Sequence, residues 1–250
     1  MGCCNFLSYS QRLVAFIDLL GFSDYIKESD IDNAKAITIY SLLHKLDSDV
    51  VHGEEQSQSD KCQNGREILA VSDSIIISYP LYPKVPSGTV INLLLDICNV
   101  QRLLLSNGWI SRGGVSFGNT YHEQNVIFGT AYMKAIELEK QANFPRIVLD
   151  DTVMSLCGKD NIVPFSLCDI DKIHFIDYLG ILPMHHDGVM IMHTLHEKIT
   201  DALLRETKPS IIEKYWWLKE YYNYTIDRAR DFGSFSDCRR IGEMKTERFH

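Results

Sequence analysis

Aspartates close two apolar segments of this chain, Asp18 in LVAFIDLLGFSDY and Asp73 in EILAVSDSIIIS. An ionised carboxylate in such a place is costly unless it meets a cation. Two of them brought together make a site for a hard divalent ion such as Mg²⁺ or Mn²⁺. Asp18 is followed by Leu19, Leu20, Gly21, Phe22 and Ser23, a tight strand-to-helix turn whose backbone N–H groups favour negative charge. A phosphate chain bridged by metal to both aspartates would fit that turn. The competing reading has Asp18, Ser23 and Asp24 merely capping helices.

The elements that must position these residues are legible in the hydrophobic pattern. Leu13 to Ile17 is a continuous apolar run of strand formers, and Ile31 to Leu46 carries Ile37, Tyr40, Leu43 and His44 at helical spacing. A polar stretch from His52 to Gly65 reads as a loop. Ser72-Asp73 then separates two apolar strands, Ile68 to Val71 and Ile75 to Ile77, as the tip of a hairpin would. Pro80, Pro83 and Pro86 stiffen the connection to a helix from Val90 that ends near Asn107-Gly108. Trp109 to Phe117 reads as a strand broken by Gly113-Gly114, Asn119 to Asn125 as a loop, Ala131 to Gln141 as a helix opened by Gly129, and Pro145 to Leu149 as a last strand. The order β-α-β-β-α-β-α-β contains the split βαβ arrangement of an α+β sandwich. Beyond Asp150 a short strand at Ile173 to Ile176, a helix at Met190 to Arg205 and an aromatic helix at Ile211 to Ala229 follow.

Composition excludes several classes. With 250 residues, 45% hydrophobic and 23% charged, the chain can bury a sizeable core. A net charge of −8 argues against bulk nucleic-acid binding, although a local basic pocket for one nucleotide remains compatible with it. Seven scattered cysteines without a CxxC pair suggest reduced thiols and a cytoplasmic setting. No apolar run approaches a membrane span, and the opening Met1-Gly2-Cys3-Cys4 fails the myristoylation pattern at Phe6. His185, His186, His193 and His196 lack the complete ligand set of a zinc site.

With these motifs in this order, the chain resembles the class III nucleotide cyclase catalytic domain. Phe16-Ile17-Asp18-Leu19-Leu20-Gly21-Phe22 matches the F-x-D-[IL]-x-G-F of the first strand, Ser72-Asp73 the hairpin G-D, and Arg112-Gly113-Gly114-Val115 the R-x-G-[IV] strand. Gly129-Thr130-Ala131 with Ala135, Leu138 and Glu139, then Pro145-Arg146-Ile147, match its glycine, helix and closing strand. The resemblance implies a ferredoxin-like sheet-and-helix catalytic core over 1–155 and a mostly helical extension over 156–250, packed on the core or at a dimer interface. It further implies two Mn²⁺ or Mg²⁺ ions per site on Asp18, Asp73 and the Leu19 carbonyl, with the triphosphate cradled by the backbone of Leu20, Gly21, Phe22 and Ser23.

The departures carry information too. The Lys and Asp by which purine cyclases read the base fall on Leu69 and Val126, which cannot hydrogen-bond a base edge. The helix's usual Asn and Arg fall on Met133 and Glu137, and a glutamate would repel a phosphate. Arg112, Lys134 and Arg146 are then the candidates for transition-state charge, and Phe6, Leu69 and Val126 those that face the base. With SDS in the hairpin, SRGGV, AxxLE followed by PRI, and the KYWWLKEYYN segment, the chain is most similar to the pyrimidine cyclases of bacterial Pycsar antiphage systems. That resemblance implies UTP or CTP as substrate, a cyclic pyrimidine nucleotide as messenger, a homodimer with sites at its interface, and a separate effector that responds to the messenger. The alternatives are a purine cyclase with a relocated base-reading pair, a non-catalytic nucleotide-binding regulatory domain, and an interaction protein working through its aromatic C-terminal helix.

Overall fold

The computed structural model describes residues 9–46, 48, 65–81, 88–156, 165–231, 233–242 and 248–249. Strand β1, Ser10–Leu19, alternates as a strand buried on both faces must. Leu13, Ala15 and Ile17 enter the main core, while Val14 and Phe16 face a smaller one. Helices α1, Phe22–Ser29, and α2, Asn33–Lys45, follow, the second capped by the Asp32 carboxylate accepting the Ala34 N–H at 3.0 Å.

Strands β2, Glu67–Val71, and β3, Ser74–Pro80, form the expected hairpin, with Ser72 turning it at φ +56°. β3 lies between β1 and β2 and runs antiparallel to both, so β1 and β2 are the parallel pair of a split βαβ unit. Helix α3, Thr89–Ser106, crosses back to β4, Ser111–Glu123, which pairs antiparallel with the other side of β1. β3, α3 and β4 thereby make a second split unit, and the order β2-β3-β1-β4 is the ferredoxin-like arrangement. The fold is α+β.

Two expectations are corrected. Gly113-Gly114 does not break the strand, since both pair with β1 within one ladder, and the segment 119–125 is not a loop: β4 continues to Glu123 and turns tightly into β5, Val126–Gly129. Its strand alternation is carried by polar residues, Thr120 and His122 buried while Asn119 and Glu123 are exposed, so hydrophobicity alone hides it. Helix α4, Thr130–Gln141, packs over β1 and β4, and β6, Ile147–Leu149, pairs parallel with β4.

After the short helix α5, Asp151–Leu156, strands β7, Ser166–Cys168, and β8, His174–Ile176, extend the same sheet through β6. Helices α6, Gly188–Arg205, and α7, Pro209–Asp231, are the last described helices. Trp217, Leu218, Tyr221 and Phe175 belong to the same continuous core as β1, β3 and α3. Helix α3 alone among the described helices is long and apolar enough to cross a membrane, and 61% of it is buried inside the protein. The expected loop at 52–64 and the prolines at 83 and 86 lie outside the described residues.

Candidate functional site

Asp18 is the last but one residue of β1, opposite Ser74 on β3 and Arg112 on β4. Directly opposed residues of antiparallel strands share a face, so these three side chains project to one side of the sheet. The Leu19 N–H donates to the Asp73 carbonyl at 3.0 Å and the Leu20 N–H to the Ile110 carbonyl at 2.9 Å. Those bonds clamp the β2–β3 hairpin and the α3–β4 connection to the end of β1, and they set the two aspartates on adjoining backbone.

Helix α4 reaches this end of the sheet because β4 carries glycines. A Cβ on Gly114 would come within 2.4 Å of the Leu138 Cβ and 2.5 Å of the Ala135 carbonyl oxygen. The close approach delivers Glu139, only 4% exposed, to Arg112. The Arg112 Nε stands 2.6 Å from Glu139 Oε1 and 3.6 Å from Asp18 Oδ2. Neither that Nε nor Oε1 has a well-directed hydrogen bond, so the short contact is a charge pairing in which one guanidinium serves two carboxylates.

The electrostatics follow from that count. Burial, then the neighbouring Glu139 and Asp73 carboxylates, push Asp18 up to about 6 against the opposing pull of Arg112. Glu139 is raised as well, by burial first, with Arg112 and Lys140 pulling it down and Asp73 pushing it up. Burial and Asp73 raise both Asp18 and Glu139 while Arg112 pairs with the two of them, a crowding of carboxylates that a divalent cation would relieve. The oxygen donors of Asp18, Asp73 and the Leu19 carbonyl suit a hard ion that takes only one or two protein carboxylates and completes its shell with water and substrate phosphate. Among the described residues no group of three or more His, Cys, Asp or Glu is arranged to hold a metal by itself.

Beside this acidic end, Gly21 takes φ +79° and starts α1 without any side-chain cap. Only glycine enters that left-handed region without strain. The N–H groups of Gly21, Phe22 and Ser23 have no backbone acceptor outside the helix among the described residues. Leu20 is corrected: its N–H is already bonded to Ile110, so it cannot also cradle a phosphate. The Phe22 ring is buried against Trp109 at 5.4 Å and roots the turn in the core.

The other candidates separate. Arg146 does not reach the acidic end: it is 1% exposed, and its guanidinium is committed to Asp169 at 2.9 Å, Asp171 at 2.7 Å and the Ala142 carbonyl at 3.2 Å. Its task is to tie β6 to the β7–β8 turn. Lys134 stands five positions before Glu139 on α4, about 140° around the helix. It pairs loosely with Glu137 at 3.5 Å and lines a polar cleft of about 340 Å³ with Lys172, His174, Asp150 and Asp151. Leu69 packs half-buried beside Phe16, Ile76 and Tyr132. Val126 is 54% and Met133 64% exposed. Phe6 lies outside the described residues.

Two further cations carry no mark in the local pattern. Lys214, in the first turns of α7, is in electrostatic reach of both Arg112 and Asp18; burial and then Arg112 lower its pKa while Asp18 opposes them. Lys208, at the α6–α7 junction, acts likewise on Asp24 in the first turn of α1. Both are far from β1 along the chain, and only the docking of α7 brings them here.

No protein-family model matches this chain, and no curated protein does. Among solved structures, the chain is similar to the catalytic core of a rhodopsin-guanylyl cyclase with converted specificity in complex with ATPalphaS, at 12% identity and a TM-score of 0.47, over 68% of this chain and 96% of that one. The adenylate/guanylate cyclase/hydrolase from Silicibacter pomeroyi gives 15% identity and 0.42 over 67% and 95%. A bacterial light-regulated adenylyl cyclase gives 12% and 0.41 over 76% and 57%. These likenesses are too loose to assign a family, and the residues of the site itself must carry its function.

Proposed function

We propose that this protein is a metal-dependent nucleotide cyclase that converts UTP or CTP to the 3′,5′-cyclic monophosphate and pyrophosphate. The observation that carries the reading is the juxtaposition of Asp18 and Asp73 at one sheet end beside the uncapped start of α1. Carboxylates for cations and free N–H groups for phosphate meet there, which is what a nucleoside triphosphate requires.

Asp18, Asp73 and the Leu19 carbonyl would hold the ions. Two bound Mn²⁺ or Mg²⁺ would offset the triphosphate charge and acidify the ribose 3′-hydroxyl. The N–H groups of Gly21, Phe22 and Ser23 receive the terminal phosphates. The 3′ oxygen attacks the α-phosphorus in line, the bond to the bridging oxygen breaks, and pyrophosphate leaves with its electron pair while the hydroxyl proton passes to solvent. Arg112, shared between Asp18 and Glu139, holds Asp18 in its ionised, ligating orientation. Leu69, with Phe16, Ile76 and Tyr132 around it, offers the base an apolar wall without the hydrogen-bonding pair that a purine reader uses.

The exposed Val71, Val126, Phe128 and Met133 support a homodimer that covers them. The active sites would lie at that interface, and a cytoplasmic effector would receive the cyclic nucleotide as an antiphage signal. Binding tests the reading first. Calorimetric titration of the full chain with UTP in Mn²⁺ is expected to show saturable binding that Asp18→Ala removes. Wild-type protein that binds no nucleoside triphosphate would overturn the proposal.

A further inference from the structure

Asp18 on β1 and Arg112 on β4 stand directly opposite each other, and opposed residues of unlike charge on neighbouring strands ordinarily pair. Here the pair does not close. The Arg112 Nε stops 3.6 Å from Asp18 Oδ2, beyond hydrogen-bonding distance, and lies 2.6 Å from Glu139 Oε1 instead. A carboxylate on α4 has drawn the arginine off its cross-strand partner.

Packing fixes where Glu139 sits. Leu138, next to it, and Ala142, at the end of α4, join Val148 in a small apolar cluster. Gly114 lets the helix backbone lie directly on β4, since a Cβ there would meet the Ala135 carbonyl oxygen at 2.5 Å and the Glu139 nitrogen at 3.1 Å. The Glu139 side chain is 5% exposed, against 22% for Asp18 and 25% for Arg112. A cation arriving from solvent therefore meets Asp18 and is shielded from Glu139. That difference gives Glu139 the arginine and leaves the Asp18 oxygens open.

We propose that Glu139 is a positioning residue that holds the Arg112 guanidinium off Asp18 and so keeps the Asp18 carboxylate available to a divalent cation. The inference rests on the metal-site reading of Asp18 and Asp73. An arginine able to turn fully onto Asp18 would meet it through two parallel N–H···O bonds, occupying the oxygens that a hard ion needs. Glu139 in turn is a buried charge that Arg112 answers, and such a charge left without its partner is costly. Glu139 touches neither metal nor substrate in this role and acts through Arg112 alone.

The test measures Mn²⁺ binding to the full chain by electron paramagnetic resonance of the unbound ion, in wild type, Glu139→Gln, Arg112→Gln and the double variant, with thermal melts to show that each is folded. Glu139→Gln is expected to weaken Mn²⁺ binding about tenfold, a coupling of the size seen between contacting charges, because Arg112 then closes on Asp18. In the Arg112→Gln background the same substitution should change Mn²⁺ affinity by less than about twofold. An equal loss in both backgrounds would overturn the proposal, since Glu139 would then act as a nearby charge and not through Arg112. Wild-type Mn²⁺ affinity in Glu139→Gln would overturn it as well. Should Glu139→Gln fail to fold, Glu139→Asp carries the test: it keeps the charge but withdraws it from Arg112 by one methylene. Weaker Mn²⁺ binding is the expected result there, and unchanged binding would count against the proposal. Wild type that binds no Mn²⁺ would overturn the metal-site reading itself.

Discussion

Asp18 shows most directly how a proposed metal-binding residue can weaken the fold that holds it. Its carboxyl rises to about 6 through burial and the nearby Glu139 and Asp73, so a folded chain resists ionising it more than an unfolded one does. Stability from this group is present below the unfolded value near 4 and is lost as pH rises toward 6. In metal-free protein at pH 7, Asp18→Asn is expected to raise stability by about 2 kcal/mol while abolishing turnover; denaturant melts in EDTA beside an activity assay would check both. His122 has the opposite dependence. Burial, with Arg12 adding, lowers it to about 4, and its Nδ1 meets the Ser78 hydroxyl at 2.7 Å. Its neutral form is the native one, so stability is full above about pH 6.5 and falls toward pH 4 by on the order of 3 kcal/mol. His122→Gln should flatten that part of the pH profile in urea melts; an unchanged slope would count against it. The two aspartates were legible in the sequence because a charge closing an apolar strand is conspicuous. Glu139 was visible only as part of a helix motif, and Lys214 was hidden, because its place depends on where Trp217 docks.

At the scale of elements, the β1–α1 turn, the β2–β3 hairpin and helices α3 and α4 follow from apolar period and glycine position, and the structure places them where the pattern does. The β4–β5 extension was not legible, since its inward residues are Thr120 and His122 and its periodicity is polar. Register was also beyond the pattern: only pairing sets Asp18 opposite Arg112. Gly114 shows how an element can act on the site without touching it. Gly114→Ala would force a Cβ against Leu138 and the Ala135 backbone. It is expected to lower stability by about 3 kcal/mol through overpacking, and to reduce turnover further by moving Glu139 away from Arg112. Gly21→Ala meets no neighbour within 4 Å and carries only the strain of φ +79°, about 1 kcal/mol. Parallel thermal melts and kinetics of the two variants would separate clash from strain; equal destabilisation would contradict this account of α4 packing.

For the whole molecule, the residues after 155 are joined to the rest by β8 pairing with β6 and by Trp217 and Tyr221 entering the main core. We therefore expect one cooperative unit. Trp217→Ala should lower stability by about 4 kcal/mol and leave a single transition by both tryptophan fluorescence and circular dichroism. Two separated transitions would show that the extension folds apart from the core. The aromatic composition of α7 foretold an apolar face; that the face fills the same core as β1 depends on the long-range course of the sheet, which no local pattern records. The central claim is that Asp18 and Asp73 together cyclise a pyrimidine nucleotide, and one reaction tests it most directly. Purified full-length protein is given ATP, GTP, CTP and UTP at equal concentrations with Mn²⁺, alongside Asp18→Ala and Asp73→Ala, and the products are identified by mass spectrometry. The account predicts cyclic UMP or cyclic CMP from wild type and none from either variant; cyclic AMP or cyclic GMP as the main product, or a cyclic pyrimidine nucleotide that survives the loss of either aspartate, would contradict it.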